Sequence, residues 1–150
     1  MGNGNWNGRG RLTFPNGEIN IGFFKNGIIW NGSGRKKFLN GNVYLGEFLN
    51  GKMHGQGKLN SFDGTVFIGE FLNGKMHGKG ELNSKDGSSY IGDFEYGKMH
   101  GEGSLISANG DKYNGEYKYG KMHGQGNFKS YDGSNYNGQY KSVSYTHLRA

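Results

Sequence analysis

The chain contains 150 residues, of which 32% are hydrophobic, 15% are aromatic and 31 are glycine, with a formal net charge of +6. Leu, Ile and Val are scarce, which argues against a compact two-layer core and requires Tyr and Phe rings packed over glycine to supply the apolar burial. The lack of Cys excludes disulfides and thiolate metal sites, and no apolar run approaches the roughly 20 residues that span a bilayer.

A repeat of 23 residues organises the chain; each copy has an aromatic residue, a Gly two positions later and a second aromatic two positions after that. The chain begins with a partial copy at 4–19 and a divergent copy at 20–43, in which Gly27-Ile28-Ile29-Trp30-Asn31-Gly32 replaces the usual Gly-Lys-Met-His-Gly. Regular copies follow at 44–66, 67–89, 90–112 and 113–135, and a truncated copy at 136–141. A fixed period of this length predicts a repeat protein, in which each copy is one structural unit that packs on its neighbours.

Each regular copy carries two turn signals separated by runs of strand length. In the first regular copy these are Asn-Gly at 50–51 and Asp-Gly at 63–64, which supply the positive φ that tight hairpin turns need. The runs alternate with period two, so Tyr44, Gly46 and Phe48 share one face. The sequence therefore predicts an all-β fold: a single-layer, twisted antiparallel sheet of tandem β-hairpins that forms an open-ended trough.

The last eight residues, 143–150, break the repeat and read like the translation of a sequencing-library adapter. They are interpreted as a non-native tail, so the array itself covers 1–142. On this interpretation the chain is a fragment, and the copy begun at Tyr136 continues in a longer parent protein. Met1 aligns with Phe48 of the repeat, which predicts that the N-terminus is also truncated.

The consensus of the regular copies, YxGEFxxGKxHGxGxL followed by a later DG, resembles the MORN repeat (membrane occupation and recognition nexus). The resemblance covers nearly the whole array. It implies a non-catalytic scaffold for protein–protein interaction with weak membrane or phosphoinositide contact. It equally implies an alternative, a regulatory repeat region of a larger enzyme such as a phosphatidylinositol phosphate kinase or a lysine methyltransferase, with the catalytic domain outside these residues. The sequence does not separate the two.

A one-layer sheet has no second layer to cover its apolar face, and an uncovered apolar face usually marks an interaction site. The rings of this face are expected to stay partly accessible and to form a partner groove. The expected occupant is an amphipathic helix, a peptide or a second copy of the array. The groove residues are Tyr44, Phe48, Phe67, Phe71, Tyr90, Phe94, Tyr113 and Tyr117.

Positive charge is concentrated near the start of the chain. Residues 1–43 hold six Lys or Arg against one Glu, a net of +5, whereas residues 44–135 hold ten Lys against eleven Asp or Glu, a net of −1. Contact with an anionic membrane is therefore assigned to Arg9, Arg11, Arg35, Lys36 and Lys37. The recurring lysines Lys52, Lys75, Lys98 and Lys121 are less favoured because nearby carboxylates neutralise them.

The first seven residues are polar and lack the apolar stretch of a secretory signal peptide. Together with the absence of Cys, this predicts a cytoplasmic protein, peripheral at membranes or the cytoskeleton. Nucleic acid is not an expected partner, because the rings and the recurring lysines are predicted to lie on opposite faces.

No catalytic, cofactor-binding or metal-binding residue is predicted. The four recurring histidines lie about 10 Å apart in a sheet of this kind, too far for two of them to bind one ion. Each is expected to bond the facing carboxylate of its own hairpin instead. The stretch 46–53, GEFLNGKM, matches a phosphate loop until its last position, where Met replaces Ser or Thr. The histidines are His54, His77, His100 and His123, and the carboxylates are those of Glu47, Glu70, Asp93 and Glu116.

Overall fold

A computed structural model describes residues 7–144. These residues form one antiparallel sheet of 12 strands, in which the order across the sheet is the order along the chain. Every strand pairs with the one before it and the one after it, so only the first and last strands have an open edge. The strands are β1 (Gly8–Thr13), β2 (Ile19–Lys25), β3 (Ile28–Lys37), β4 (Val43–Leu49), β5 (Lys52–Asn60), β6 (Val66–Leu72), β7 (Lys75–Asn83), β8 (Ser89–Glu95), β9 (Lys98–Ile106), β10 (Lys112–Lys118), β11 (Lys121–Lys129) and β12 (Asn135–Val143).

The predicted all-β sheet of tandem hairpins is confirmed. Within the described residues no helix is present, and hence none long and apolar enough to cross a bilayer. The predicted partial copy 4–19 and the position of Met1 fall partly or wholly outside these residues, as does most of the proposed tail 143–150. Val143 itself ends β12, where it lies opposite Met122.

The two turns of each copy are built differently. At the first, Asn50 and Gly51 have φ of 52° and 78°, the pair of positive values that a two-residue type I′ hairpin turn requires. At the second, the Gly64 N–H donates to the carbonyl of Ser61, and Asp63 Oδ1 accepts the Thr65 N–H at 2.9 Å. This hydrogen bond lowers the pKa of Asp63. Both turns are therefore determined by local sequence.

A bulge interrupts the first hairpin pairing of every regular copy. In the first of them, Gly46 lies opposite Gly57 and Phe48 lies opposite Met53, so Glu47 faces three residues of β5. The divergent copy has a shorter bulge, because Gly22 pairs with Gly32 and Phe24 with Ile29. Its strands consequently pair in a different register from those of the regular copies, which shapes the site described below.

Candidate partner-binding surface

The eight rings assigned to the partner groove form one continuous ladder. Tyr44 contacts Phe48 of its own copy and Phe71 of the next, and both contacts are edge-to-face. The same two contacts recur from copy to copy as far as Tyr117, with ring centroids 5.0–5.2 Å apart and interplanar angles of 83–87°. Edge-to-face pairs of this geometry stabilise beyond the area they bury. This ring ladder is the core of the molecule.

The expectation that these rings remain accessible is wrong. All eight are buried, with exposed fractions between 0% for Tyr44 and 5% for Phe48. The reason is the glycine beneath each first ring: a Cβ added to Gly57 would lie 2.2 Å from the Tyr44 hydroxyl oxygen. Because glycine has no side chain, the ring lies against the backbone of the opposite strand and is covered by the neighbouring rings of the ladder.

Buried phenols in the ladder donate hydrogen bonds to the backbone. The hydroxyl groups of Tyr44, Tyr90 and Tyr113 each donate to the carbonyl oxygen three residues further on, at 2.9 Å. Burial raises the pKa values of Tyr44 and Tyr113 to about 12, and it raises the pKa of Tyr90 as well. These three tyrosines are therefore neutral hydrogen-bond donors at ordinary pH and act structurally.

The face of the sheet that carries the ring ladder is here called the ring face. A different set of apolar side chains reaches the surface on this face. In the first three regular copies, one Leu and one Met per copy pack against the rings and stay partly exposed, since no second layer covers them. In the fourth, Met122 is buried and Phe128 replaces the Leu. Leu59 lies opposite both Tyr44 and Phe67, so each Leu bridges two copies. These Leu and Met columns are Leu59, Leu82 and Leu105 with Met53, Met76 and Met99.

The opposite face carries an aliphatic row that the sequence argument missed. Leu45, Ile68 and Ile91 are 45%, 47% and 59% exposed. They alternate across the strands with Lys58 and Glu81. The sequence carries a signal for this row, because the residue after the first ring of these copies is aliphatic.

The five basic residues predicted to contact a membrane lie in two groups on different strands. Arg9 and Arg11 are exposed on β1, whereas Arg35, Lys36 and Lys37 lie on β3, with β2 between the two groups. The Arg35 Nε lies 3.3 Å from Glu18 Oε1, which partly neutralises this cluster. Lys52, Lys75, Lys98 and Lys121 are each exposed at the first position of β5, β7, β9 and β11.

Lys36 lies on the same face as the rings, whereas the rings and the recurring lysines were predicted to lie on opposite faces. It pairs with Tyr44, as Leu59 pairs with Phe67, and so it holds the Leu position of the ring face in the divergent copy. Its ammonium group lies 5.0 Å from the Phe38 ring centroid, within the range of a cation–π contact. The divergent copy is therefore polar where the regular copies are apolar.

The histidines do not bond the facing carboxylates, contrary to the sequence-based expectation. Glu47 Oε2 instead accepts the backbone N–H of Gln56 at 2.9 Å, and the equivalent carboxylates of the next three copies do the same at 2.9–3.1 Å. The reason is the bulge, which leaves that N–H without a ladder partner, and a carboxylate is a strong acceptor for it. The His77 and His100 rings lie 5.4 and 5.5 Å from the Tyr96 and Tyr119 rings of the following turn.

An ion pair links two neighbouring hairpins. Lys79 Nζ lies 2.5 Å from Asp93 Oδ1 across β7 and β8, and this hydrogen bond raises the pKa of Lys79. Within residues 7–144, no group of three or more His, Asp or Glu side chains is placed to hold a metal ion. The regular copies thus present an apolar ring face and a mixed, charged opposite face.

The repeat pattern matches a known protein family. The model of the MORN repeat matches residues 2–19, 44–66, 67–89, 90–112 and 113–135. The chain belongs to the MORN repeat family. MORN repeats are a non-catalytic repeat family, and the match suggests a repeat scaffold. The divergent copy at 20–43 is not among the matched segments.

Comparison with curated proteins gives no match. Among solved structures, one similar chain is the SAS-4 (dCPAP) TCP domain in complex with a proline-rich motif of Ana2 (dSTIL) from Drosophila melanogaster, at 14% identity. The similarity covers 88% of this chain and 90% of that one, with a TM-score of 0.25. A TM-score of this size is too low to support an inference about this chain.

Proposed function

We propose that this MORN array is a scaffold that binds an amphipathic helix, a peptide or a second copy of itself along its ring face. The observation that carries the proposal is the pair of Leu and Met columns, which stay partly exposed over a buried ring ladder. Apolar lines of this kind on a monomer usually mark interaction surfaces. The eight predicted groove rings then form the floor of the groove, and the Leu and Met side chains make the contacts.

The edges of the sheet offer self-association as a second mode of the same function. β1 and β12 each have one edge without a partner strand within the described residues. An open edge presents unpaired N–H and C=O groups to another chain. A second copy can therefore extend the array by strand addition, while the ring face stays free for a helix or peptide.

We expect the isolated chain to bind a hydrophobic fluorescent dye and to self-associate at micromolar concentrations. Leu82→Lys should reduce both signals, because it places a charge in the middle of the ring face. This substitution copies a residue that the chain already accommodates, since Lys36 holds the equivalent position. The measurements are dye fluorescence and light scattering on the purified full chain.

Ile91→Lys is the matched control, because it adds the same charge on the opposite face at a 59% exposed position. It should leave dye binding unchanged. If Ile91→Lys reduces dye binding and Leu82→Lys does not, the partner surface lies on the opposite face. A monomeric chain that binds no dye would end the scaffold proposal.

Weak contact with an anionic or phosphoinositide-containing membrane is proposed as a contributory role, in a cytoplasmic protein peripheral at membranes or the cytoskeleton. The supporting observation is the charge asymmetry, with a net of +5 over residues 1–43 and −1 over residues 44–135. At about 1 kcal/mol for each basic residue near such a surface, five cations supply at most about 5 kcal/mol. That corresponds to binding of about millimolar affinity, which is too weak to be the only anchor.

We expect binding to anionic vesicles to disappear in about 1 M salt, where the screening length falls to about 3 Å. Replacing Arg35, Lys36 and Lys37 with Ser should abolish binding in a vesicle sedimentation assay. Replacing Lys52, Lys75 and Lys98 with Ser removes the same charge and should weaken binding far less. The reverse order would assign the membrane surface to the recurring lysines.

A further inference from the structure

The divergent copy lacks two residues that complete the ring face elsewhere. Asn20 stands where the regular copies have Tyr or Phe, and Lys36 stands where they have Leu or, in the fourth copy, Phe. A Cβ added to Gly34 would lie 2.3 Å from Asn20 Oδ1, just as one added to Gly57 would meet the Tyr44 hydroxyl. Asn20 therefore occupies the place of a ring over its glycine, but with a much smaller side chain.

The missing ring leaves a cavity of about 220 Å³, here called the Asn20 pocket. An apolar cavity of about 150 Å³ is large enough to bind benzene. The Asn20 pocket can thus hold one ring or one branched aliphatic side chain. Its apolar lining consists of Leu12, Phe24, Ile28, Ile29 and Phe48.

The polar end of the Asn20 pocket is held in place by the backbone. Asn20 Oδ1 accepts the Arg35 N–H at 2.7 Å, and Asn20 Nδ2 donates to the Arg35 carbonyl at 3.2 Å. Asn20 is only 6% exposed, and both ends of its amide are bonded, so it does not need a ligand to satisfy it. The pocket is preformed, and a preformed site loses little conformational entropy on binding.

Cations border the same cavity. Arg35, Lys36 and Lys37 all contribute to its lining, and Arg35 is paired with Glu18. Within residues 7–144, neither Lys36 nor Lys37 forms an ion pair with a carboxylate. Lys36 pairs with Tyr44 and lies on the ring face with the cavity. Its neighbours Arg35 and Lys37 alternate to the opposite face. An apolar cavity beside the uncompensated Lys36 ammonium group is complementary to a ligand that joins an apolar group to negative charge.

We propose that the Asn20 pocket binds one large apolar side chain, Phe or Leu, of an acidic peptide segment, with Lys36 contacting a flanking carboxylate. The proposal rests on the scaffold function above, and it locates the anchor of the protein partner in the divergent copy. A peptide fits better than a membrane surface, because an apolar side chain would use the apolar lining of the cavity, whereas a lipid headgroup would contact only the charge at its rim.

The probe is a fluorescent heptapeptide with a central Phe and three Glu on each side, titrated against the full chain by fluorescence anisotropy. We expect saturable binding that weakens with salt. Replacing the central Phe with Ala should weaken binding about tenfold or more, because burial of a Phe side chain is worth at least that much. This comparison changes the peptide only, so it does not depend on how a protein variant folds.

The protein-side variant is Lys36→Leu, which restores the residue found at Leu59 of the first regular copy. We expect it to weaken binding of the Phe probe about tenfold or more and to preserve the fold. Lys75→Ser removes the same charge elsewhere and should change binding less than about twofold. Asn20→Tyr, which fills the cavity, should also abolish the difference between the Phe and Ala probes.

Three results would overturn the proposal. They are no saturable binding of the Phe probe, equal affinity for the Phe and Ala probes, and equal losses of affinity in Lys36→Leu and Lys75→Ser. Retention of anionic vesicle binding that depends on Lys36, with no peptide binding, would assign the site to a membrane instead. If any of these results is found while Leu82→Lys still reduces dye binding, the scaffold proposal is retained and only the pocket proposal fails.

Discussion

Tyr90→Ala is expected to lower the free energy of unfolding by about 3–5 kcal/mol, the cost of removing a large buried ring. Tyr90 is 1% exposed and lies at the centre of the ring ladder. Its ring makes edge-to-face contacts with Phe94 at 5.1 Å and with Tyr117 at 5.2 Å, and its hydroxyl donates to the Asp93 carbonyl at 2.9 Å. The substitution removes all three interactions. The measurement is a urea melt followed by circular dichroism.

The adjacent residue supplies the control. Ile91→Ala removes an aliphatic side chain that is 59% exposed on the opposite face, and it should cost less than about 1 kcal/mol. Equal losses for the two variants would show that the face assignment is wrong. Because each copy of a repeat protein contacts only its neighbours, a break in the ladder at Tyr90 can also split the melt into two transitions. Native-state hydrogen exchange would then show separate protection on either side of it.

Gly103→Ala is expected to lower the free energy of unfolding by about 2–3 kcal/mol or more, at the upper end of what overpacking a core costs. An added Cβ would lie 2.3 Å from Cε2 and from the hydroxyl oxygen of Tyr90. Gly103 has no positive φ, so the effect is steric and owes nothing to backbone strain. Tyr90 cannot move aside, because Phe94 and Tyr117 hold it from both sides.

Gly10→Ala is the matched control, since Gly10 also lies in a strand and has no positive φ. Its added Cβ would sit 3.7 Å from the Phe24 ring, an ordinary contact, so its stability should change by less than about 0.5 kcal/mol. The double variant Gly103→Ala with Tyr90→Ala should be less destabilised than the sum of the single variants, because the methyl group enters the space that the ring vacates. Additive losses would contradict the proposed contact between the ring and this glycine.

The sequence alone determined the repeat, the hairpins and the faces, because each depends on neighbouring residues. Asn50-Gly51 requires a turn through its positive φ, and strict alternation places Tyr44, Gly46 and Phe48 on one side of β4. Consecutive hairpins with short turns leave little choice of strand order, so the sheet of tandem hairpins was predictable and is confirmed.

Tertiary structure decided how the side chains of different strands use the space between them. The sequence did not reveal that Gly57 admits the Tyr44 ring against the backbone and so buries the row predicted to be open. Nor did it show that the bulge would direct the Glu47 carboxylate to the Gln56 N–H and not to a histidine. The Asn20 pocket likewise depends on the register of β2 against β3, which places Asn20 over Gly34. Alternation specifies the face on which a residue lies, but accessibility depends on contacts across strands and between copies, and those are set only when the sheet is assembled.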